Sequence, residues 1–127
     1  MTASTGRVPS WSTVRVLEDV RDDLRCERTL AVPHSSEDWL AGHFPGFPVV
    51  PGFVQLGWVV DAAQDLVGRA LVVRRLDALK FQRLLRPLDV VHLTVELAGA
   101  GTSVDFRVWN ATHVFSSGRL VFDASTP

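Results

Sequence analysis

The stretch Phe53-Val54-Gln55-Leu56-Gly57-Trp58-Val59-Val60-Asp61-Ala62-Ala63-Gln64-Asp65-Leu66-Val67 decides the fold. It is the one long helical pattern in the chain, and it is apolar almost all round, so it is expected to be buried. At 1.5 Å per residue it would be about 22 Å long, the span of a small domain, and Gly68 marks its end. Before it the pattern is β. Thr13 to Leu17 and Arg25 to Val32 read as strands, the second through the alternation Cys26, Arg28, Leu30, Val32. Ser35 and Ser36 ahead of Glu37, Asp38, Trp39 and Leu40 predict one short capped helix.

After the long helix only strands are expected. These are Leu71 to Arg83, then Val90 to Leu97, then Val104 to Trp109 beyond the turn Ala98-Gly99-Ala100-Gly101, and finally His113 to Phe122. Four consecutive antiparallel candidates after one buried helix give an α+β domain, a curved sheet wrapped around a helix. Edge strands in such a sheet invite pairing with a second subunit. A single domain is expected over residues 11–123, with residues 1–10 a loose arm and 124–127 a tail.

Composition narrows the class. The chain has 127 residues, 46% of them hydrophobic, which is one domain with a sizeable core. Its net charge is −1, from 13 basic and 14 acidic residues, without the basic excess of a general nucleic-acid binder. Cys26 is the only cysteine, which excludes an internal disulfide or a cysteine metal cluster. No apolar run reaches the ~20 residues that span a bilayer, and the N-terminus lacks the apolar region of a signal peptide. A cytoplasmic protein that binds neither membrane nor nucleic acid is expected.

Chemistry concentrates in Gly42-His43-Phe44-Pro45-Gly46-Phe47-Pro48-Val49-Val50-Pro51-Gly52. Three prolines and three glycines fix one loop conformation. They hold a histidine, suited to proton transfer near neutrality, just ahead of the buried helix. The helix start at Gly52 offers free backbone N–H groups that could polarise a thioester carbonyl.

This loop and the helix after it resemble the (3R)-hydroxyacyl-acyl-carrier-protein dehydratases of hot-dog fold. The continuation Val54-Gln55-Leu56-Gly57-Trp58, with Lys80-Phe81-Gln82-Arg83 and Ser116-Ser117-Gly118-Arg119-Leu120-Val121-Phe122, is similar to the branch tied to aryl-polyene and related polyketide pathways. The resemblance implies that His43 is the general base toward a 3-hydroxyacyl thioester and that Gly52 supplies the backbone donor for the thioester oxygen. It also implies a dimer whose sites lie across the interface, with the histidine from one chain and an acid from the other. The substrate would ride on the phosphopantetheine of an acyl carrier protein, with no dissociable cofactor. The product would be a trans-2-enoyl thioester of fatty-acid or polyketide biosynthesis.

The family's acid stands fourteen positions after the histidine, where this chain has Gly57. Three readings follow. Asp61, one turn on along the stripe Gly57, Asp61, Gln64, could substitute, about 6 Å further along the axis. A related subunit in a heterodimer could bring the acid. Or the chain could be a non-catalytic partner or acyl-binding protein. A hot-dog acyl thioesterase is a further alternative, for which Asp61 would be essential. Gly57 could also widen an acyl tunnel lined by Phe44, Phe47, Phe53, Trp58 and Phe81.

Other features have plainer readings. His34, His92 and His113 are expected to be polar surface or satisfied residues, no pair has metal-ligand spacing, and no metal site is expected. Gln55 and Gln64 read as structural, and a structural Asp61 is as good a reading as a catalytic one. Gly99-Ala100-Gly101 is a hairpin turn rather than a dinucleotide fingerprint, and Ser116 and Ser117 lack a nucleophile elbow. Arg69, Arg74, Arg75, Lys80, Arg83 and Arg86, opposed only by Asp77, form either a solvated strand face or a docking surface for an acidic carrier protein.

Overall fold

The computed structural model describes residues 14–32, 50, 52–86 and 90–123. The elements run β1 (Arg15–Arg21), β2 (Arg25–Ala31), α1 (Gly52–Val67), β3 (Val73–Phe81), β4 (Val90–Ala98), β5 (Ser103–Trp109) and β6 (Val114–Phe122). The six strands form one antiparallel sheet in the order β1-β2-β4-β5-β6-β3. The short helix expected after Ser36, the arm and the tail lie outside the described residues.

The sheet alternates as the sequence does. Cys26 and Leu30 of β2, Val91, Leu93 and Val95 of β4, Val104, Phe106 and Val108 of β5, and Leu120 and Phe122 of β6 are buried toward α1. Glu27, Thr29, His92, Glu96, Arg107 and Arg119 alternate onto the other face. Each fully buried aliphatic side chain contributes roughly 1.5–3 kcal/mol of transfer free energy. Turns fit their residues: Asp22 Oδ1 accepts from the N–H groups of Leu24 and Arg25 between β1 and β2. Asn110 Oδ1 accepts from Thr112 and His113 between β5 and β6. A single 3-10 turn, Gly99–Gly101, joins β4 to β5. Gly68, at φ +85°, ends α1, and the Gln64 side chain caps the exit by accepting from Leu71 N at 3.0 Å.

Three expectations change. First, β1 covers Arg15–Arg21 rather than ending at Leu17, and β3 covers Val73–Phe81 rather than Leu71 to Arg83. Second, β3 does not pair with β4. It lies beside β6 at the opposite edge, because the chain crosses the sheet through α1 before β3 and crosses back before β4. Third, α1 is buried on one side only. Val54, Gln55, Trp58, Val59, Ala62 and Ala63 face the sheet, whereas Phe53 is 48% exposed and Leu56, Gly57 and Val60 are half-buried. One curved sheet covers one face of a helix, however apolar the other.

β3 carries a bulge. Asp77 pairs with Arg119 and Lys80 with Ser117, so Ala78 and Leu79 together oppose Gly118. Ala78 sits at φ +53°, the left-handed region, which costs an alanine on the order of 1 kcal/mol. Gly118 has no such freedom to spare, since a Cβ there would lie 3.1 Å from the Phe106 ring and 3.3 Å from the Asp77 carbonyl oxygen. Ala78→Gly, normally a destabilising change in a strand, is therefore expected to leave stability unchanged or raise it by about 0.5 kcal/mol. Urea unfolding checks this; a loss near 1 kcal/mol would contradict it.

Candidate functional site

The N-terminal end of α1 is built by close approach. Phe81, the last residue of β3, lays its ring tip against Gly52, so that a Cβ at position 52 would meet ring carbons at 2.6–3.0 Å. Any side chain at position 52 would have to displace the Phe81 ring. The first helical turn has no intrahelical partners for its N–H groups and carries the positive end of the helix dipole. Phe81 is 49% exposed and Phe53 48%, so two aromatic side chains flank this end. Val50 N donates to Leu85 O at 2.6 Å, tying the entry of the helix to the segment after β3. His43, Phe44 and Phe47 lie outside the described residues.

Gly57 lies five residues into α1, about 7.5 Å along the axis from Gly52, on the helix face the sheet leaves uncovered. Trp58 is 2% exposed and belongs to the hydrophobic core. It packs there rather than standing at the helix entrance with Phe53 and Phe81.

Asp61 is engaged elsewhere. The buried Arg28 of β2 points inward and donates from Nη1 to Asp61 Oδ2 at 3.1 Å, from Nη2 to Asp65 Oδ2, and from Nε to Asp19 Oδ2 at 2.9 Å. One guanidinium thereby joins β1, β2 and the C-terminal half of α1. Burial alone would push the Arg28 pKa down, but its hydrogen bonds to Asp65 and Asp19 outweigh it and hold the guanidinium charged above its ordinary range. Beside it Cys26 is fully buried; burial pushes its thiol up, partly offset by Arg28. The alternation Cys26, Arg28, Leu30 already placed this arginine on the apolar face, which was the available signal for it. Its aspartate partners were not legible.

The six basic residues separate into two groups. Arg69 donates to the Asp123 carbonyl at 3.0 Å and stacks on Phe122, Arg74 pairs with Asp123 at 3.2 Å, and Arg75 with Asp77 at 2.9 Å. Lys80, Arg83 and Arg86 are exposed and, among the described residues, have no acidic partner. They lie at the other end of β3, beside Phe81 and the start of α1. From Arg74 to Lys80 is about 20 Å of strand.

The remaining histidines sit apart from this end of the helix or at its margin. His92 is on the outer sheet face, its Nδ1 3.3 Å from Thr29 Oγ1 and its ring tilted against Trp109. His113 is in the β5–β6 turn, its Nδ1 buried and, among the described residues, without a hydrogen-bond partner. His34 is outside the described residues. Gln55 and Ser116 form a buried pair, Ser116 Oγ donating to Gln55 Oε1 at 2.8 Å; the sequence reading made Gln55 structural but did not link it to Ser116. Among the described residues no cluster of three or more His, Cys, Asp or Glu could hold a metal ion, and no helix is long and apolar enough to cross a membrane.

The profile of the ApeI-like family, the ApeI dehydratases, matches residues 19–119. The chain belongs to the ApeI-like dehydratase family. Among curated relatives, the 3-hydroxyacyl-[acyl-carrier-protein] dehydratase FabZ of Oenococcus oeni is 35% identical over 100 residues, covering 72% of this chain and 69% of its own length. The FabZ of Levilactobacillus brevis is 30% identical over 105 residues, covering 76% and 69%. The chain spans a smaller share, 55%, of the Lactobacillus helveticus FabZ. The dehydratase heterocomplex ApeI:P of Xenorhabdus doucetiae superposes with a TM-score of 0.79 at 23% identity, covering 88% of this chain and 99% of that one. A Streptococcus pneumoniae protein described as a hypothetical thioesterase with coenzyme A superposes at 0.66 with 11% identity, over 87% and 84% of the two chains. The fold is the hot-dog fold, the curved sheet being the bun and α1 the filling.

The Arg28 cage predicts a separable effect. Arg28→Met leaves Asp19, Asp61 and Asp65 without their counter-charge, and is expected to cost about 2–3 kcal/mol. That is less than the roughly 3–5 kcal/mol for breaking a fully buried pair, because all three aspartates keep partial exposure. Asp61→Asn removes one of three contacts and is expected to cost about 1 kcal/mol or less. Paired urea titrations decide this, and equal costs would contradict the hub arrangement.

Proposed function

We propose that the chain is the histidine-bearing subunit of a 3-hydroxyacyl-carrier-protein dehydratase whose acid is brought by a second hot-dog subunit. The observation that carries the proposal is the contrast on α1. The face turned away from the sheet carries Gly57, while Asp61, the next carboxylate along the helix, is committed to Arg28. The half-exposed apolar side of α1 and the exposed edge strand β3 supply surface for a partner. The thioesterase alternative needs Asp61 to activate water and meets the same obstacle.

In this reading the Gly52 N–H donates to the thioester oxygen as negative charge develops on it. His43 removes the α-proton, the electron pair forms the Cα=Cβ bond, and the β-hydroxyl leaves as water with a proton from the partner's acid. Phe53 and Phe81, at the start of α1, are the described residues placed to meet the acyl chain, with Phe44 and Phe47 expected beside them. Lys80, Arg83 and Arg86 form the docking surface for an acidic carrier protein. Arg74 and Arg75 are already paired with Asp123 and Asp77, and Arg69 is held on the Asp123 carbonyl and the Phe122 ring, so these three contribute less. Polyene or polyketide acyl chains on a cytoplasmic carrier are the substrates this family branch suggests.

The test incubates purified protein with a 3-hydroxyacyl-carrier protein and reads loss of one water by mass spectrometry. The chain alone is expected to be inert. Addition of an acid-bearing hot-dog subunit, or the single change Gly57→Glu, is expected to give turnover. His43→Ala then lowers it by at least about 100-fold, and Asp61→Asn leaves it within about threefold, as for a residue outside the reacting groups. Turnover by the chain alone that is lost in Asp61→Asn would replace the partner's acid with Asp61. Lys80→Glu with Arg83→Glu is expected to raise KM and flatten its salt dependence, while Arg74→Glu is not.

A further inference from the structure

Beneath the first turn of α1 lies a polar contact the mechanism does not use. Gln55, the fourth residue of the helix, is 3% exposed, and Ser116 of β6 is fully buried. Gln55 Nε2 donates back to the Val50 carbonyl at 3.4 Å, and its Oε1 accepts from Ser116 Oγ at 2.8 Å. Only one amide orientation satisfies both partners. A carbonyl oxygen can face only the Nε2 end, so Oε1 must accept and the serine hydroxyl must donate. Both side chains are spent on each other and on one backbone carbonyl. An apolar pair would fill the same space without needing such satisfaction.

The contact closes a ring of fixed points around the helix entrance. Ser116 pairs across β6–β3 with Phe81, whose ring rests on Gly52. Val50 is held on its N–H side by Leu85 and on its carbonyl side by Gln55. Gln82 N bonds Phe115 O, joining the segment after β3 to β6 next to Ser116. Among the described residues, Gly52 is thus tied to the sheet at this end by three contacts: the Phe81 ring, the Gln55–Ser116 pair, and the Val50–Leu85 bond through the segment that Gln82 fastens to β6.

We propose that Gln55 and Ser116 are positioning residues that hold the Gly52 N–H where the thioester oxygen must sit. This deepens, and rests on, the reading of Gly52 as the backbone donor. Preorganised donors work only if held within about 0.5 Å by locked neighbours, and a misplacement of about 1 Å can cost on the order of 100-fold in rate.

The experiment uses the full chain with Gln55→Leu, Ser116→Ala and the double variant Gln55→Leu/Ser116→Ala. Two measurements run in parallel. The first, free of any substrate, is amide hydrogen exchange at Val50, which donates to Leu85, and at Leu56, whose helical acceptor is Gly52. The second is kcat and KM for dehydration with the acid supplied by a partner subunit or by Gly57→Glu. In Gln55→Leu exchange at both amides is expected to quicken by at least about tenfold. In the same variant kcat is expected to fall at least about tenfold with KM within about twofold. The double variant no longer leaves the serine hydroxyl orphaned, so it regains Tm but not kcat. Unchanged exchange in Gln55→Leu, or a kcat that returns with Tm in the double variant, overturns the proposal in favour of packing alone. If the wild-type chain never dehydrates with acid supplied, the dehydratase reading fails, and exchange by itself decides whether the pair fixes the helix entrance.

Discussion

A single curved sheet can cover only one side of a helix, and α1 is apolar on both. The core accepts Val54, Trp58, Val59, Ala62 and Ala63 at helical spacing and seals them against four central strands. That leaves Phe53 half exposed and Leu56, Gly57 and Val60 half-buried on the side of α1 turned away from the sheet.

The two ends of the helix are anchored by different physics. At the C-terminal half the anchor is ionic: Arg28 carries one positive charge into the interface between sheet and helix and is met by three carboxylates. At the N-terminal end the anchor is neutral, built from an amide, a hydroxyl, a carbonyl and a phenyl ring pressed on a glycine. Neutral contacts at one end and ionic ones at the other keep the helix fixed.

The helix and the strand faces were legible because periodicity is local: Val91, Leu93 and Val95 announce their shared side within five residues. The place of β3 was not, since its alternation looks the same beside β4 as beside β6, and only the crossing of α1 selects between them. Arg28 could be placed on the inner face by counting, yet its partners Asp61 and Asp65 are 33 and 37 residues away. The neutralisation of Arg75 by Asp77 was within reach, being two residues apart on one strand face. That of Arg74 by Asp123 depended on the β3–β6 register. Gly57 was legible as a departure from a spacing, but the commitment of Asp61 to Arg28 exists only in the fold.

The ionic anchor also encloses the chain's sole thiol. Cys26 neighbours Arg28 on the inner face, with Asp19 Oδ1 3.7 Å from its sulfur and no exposure to solvent. A thiolate must be both formed and reached before it reacts, and here burial opposes both. Alkylation of this sulfur can therefore proceed only through excursions in which β1 and β2 part from α1. Its rate in native buffer would clock the breathing of the end of the molecule opposite the helix entrance, one sulfur atom serving as the reporter.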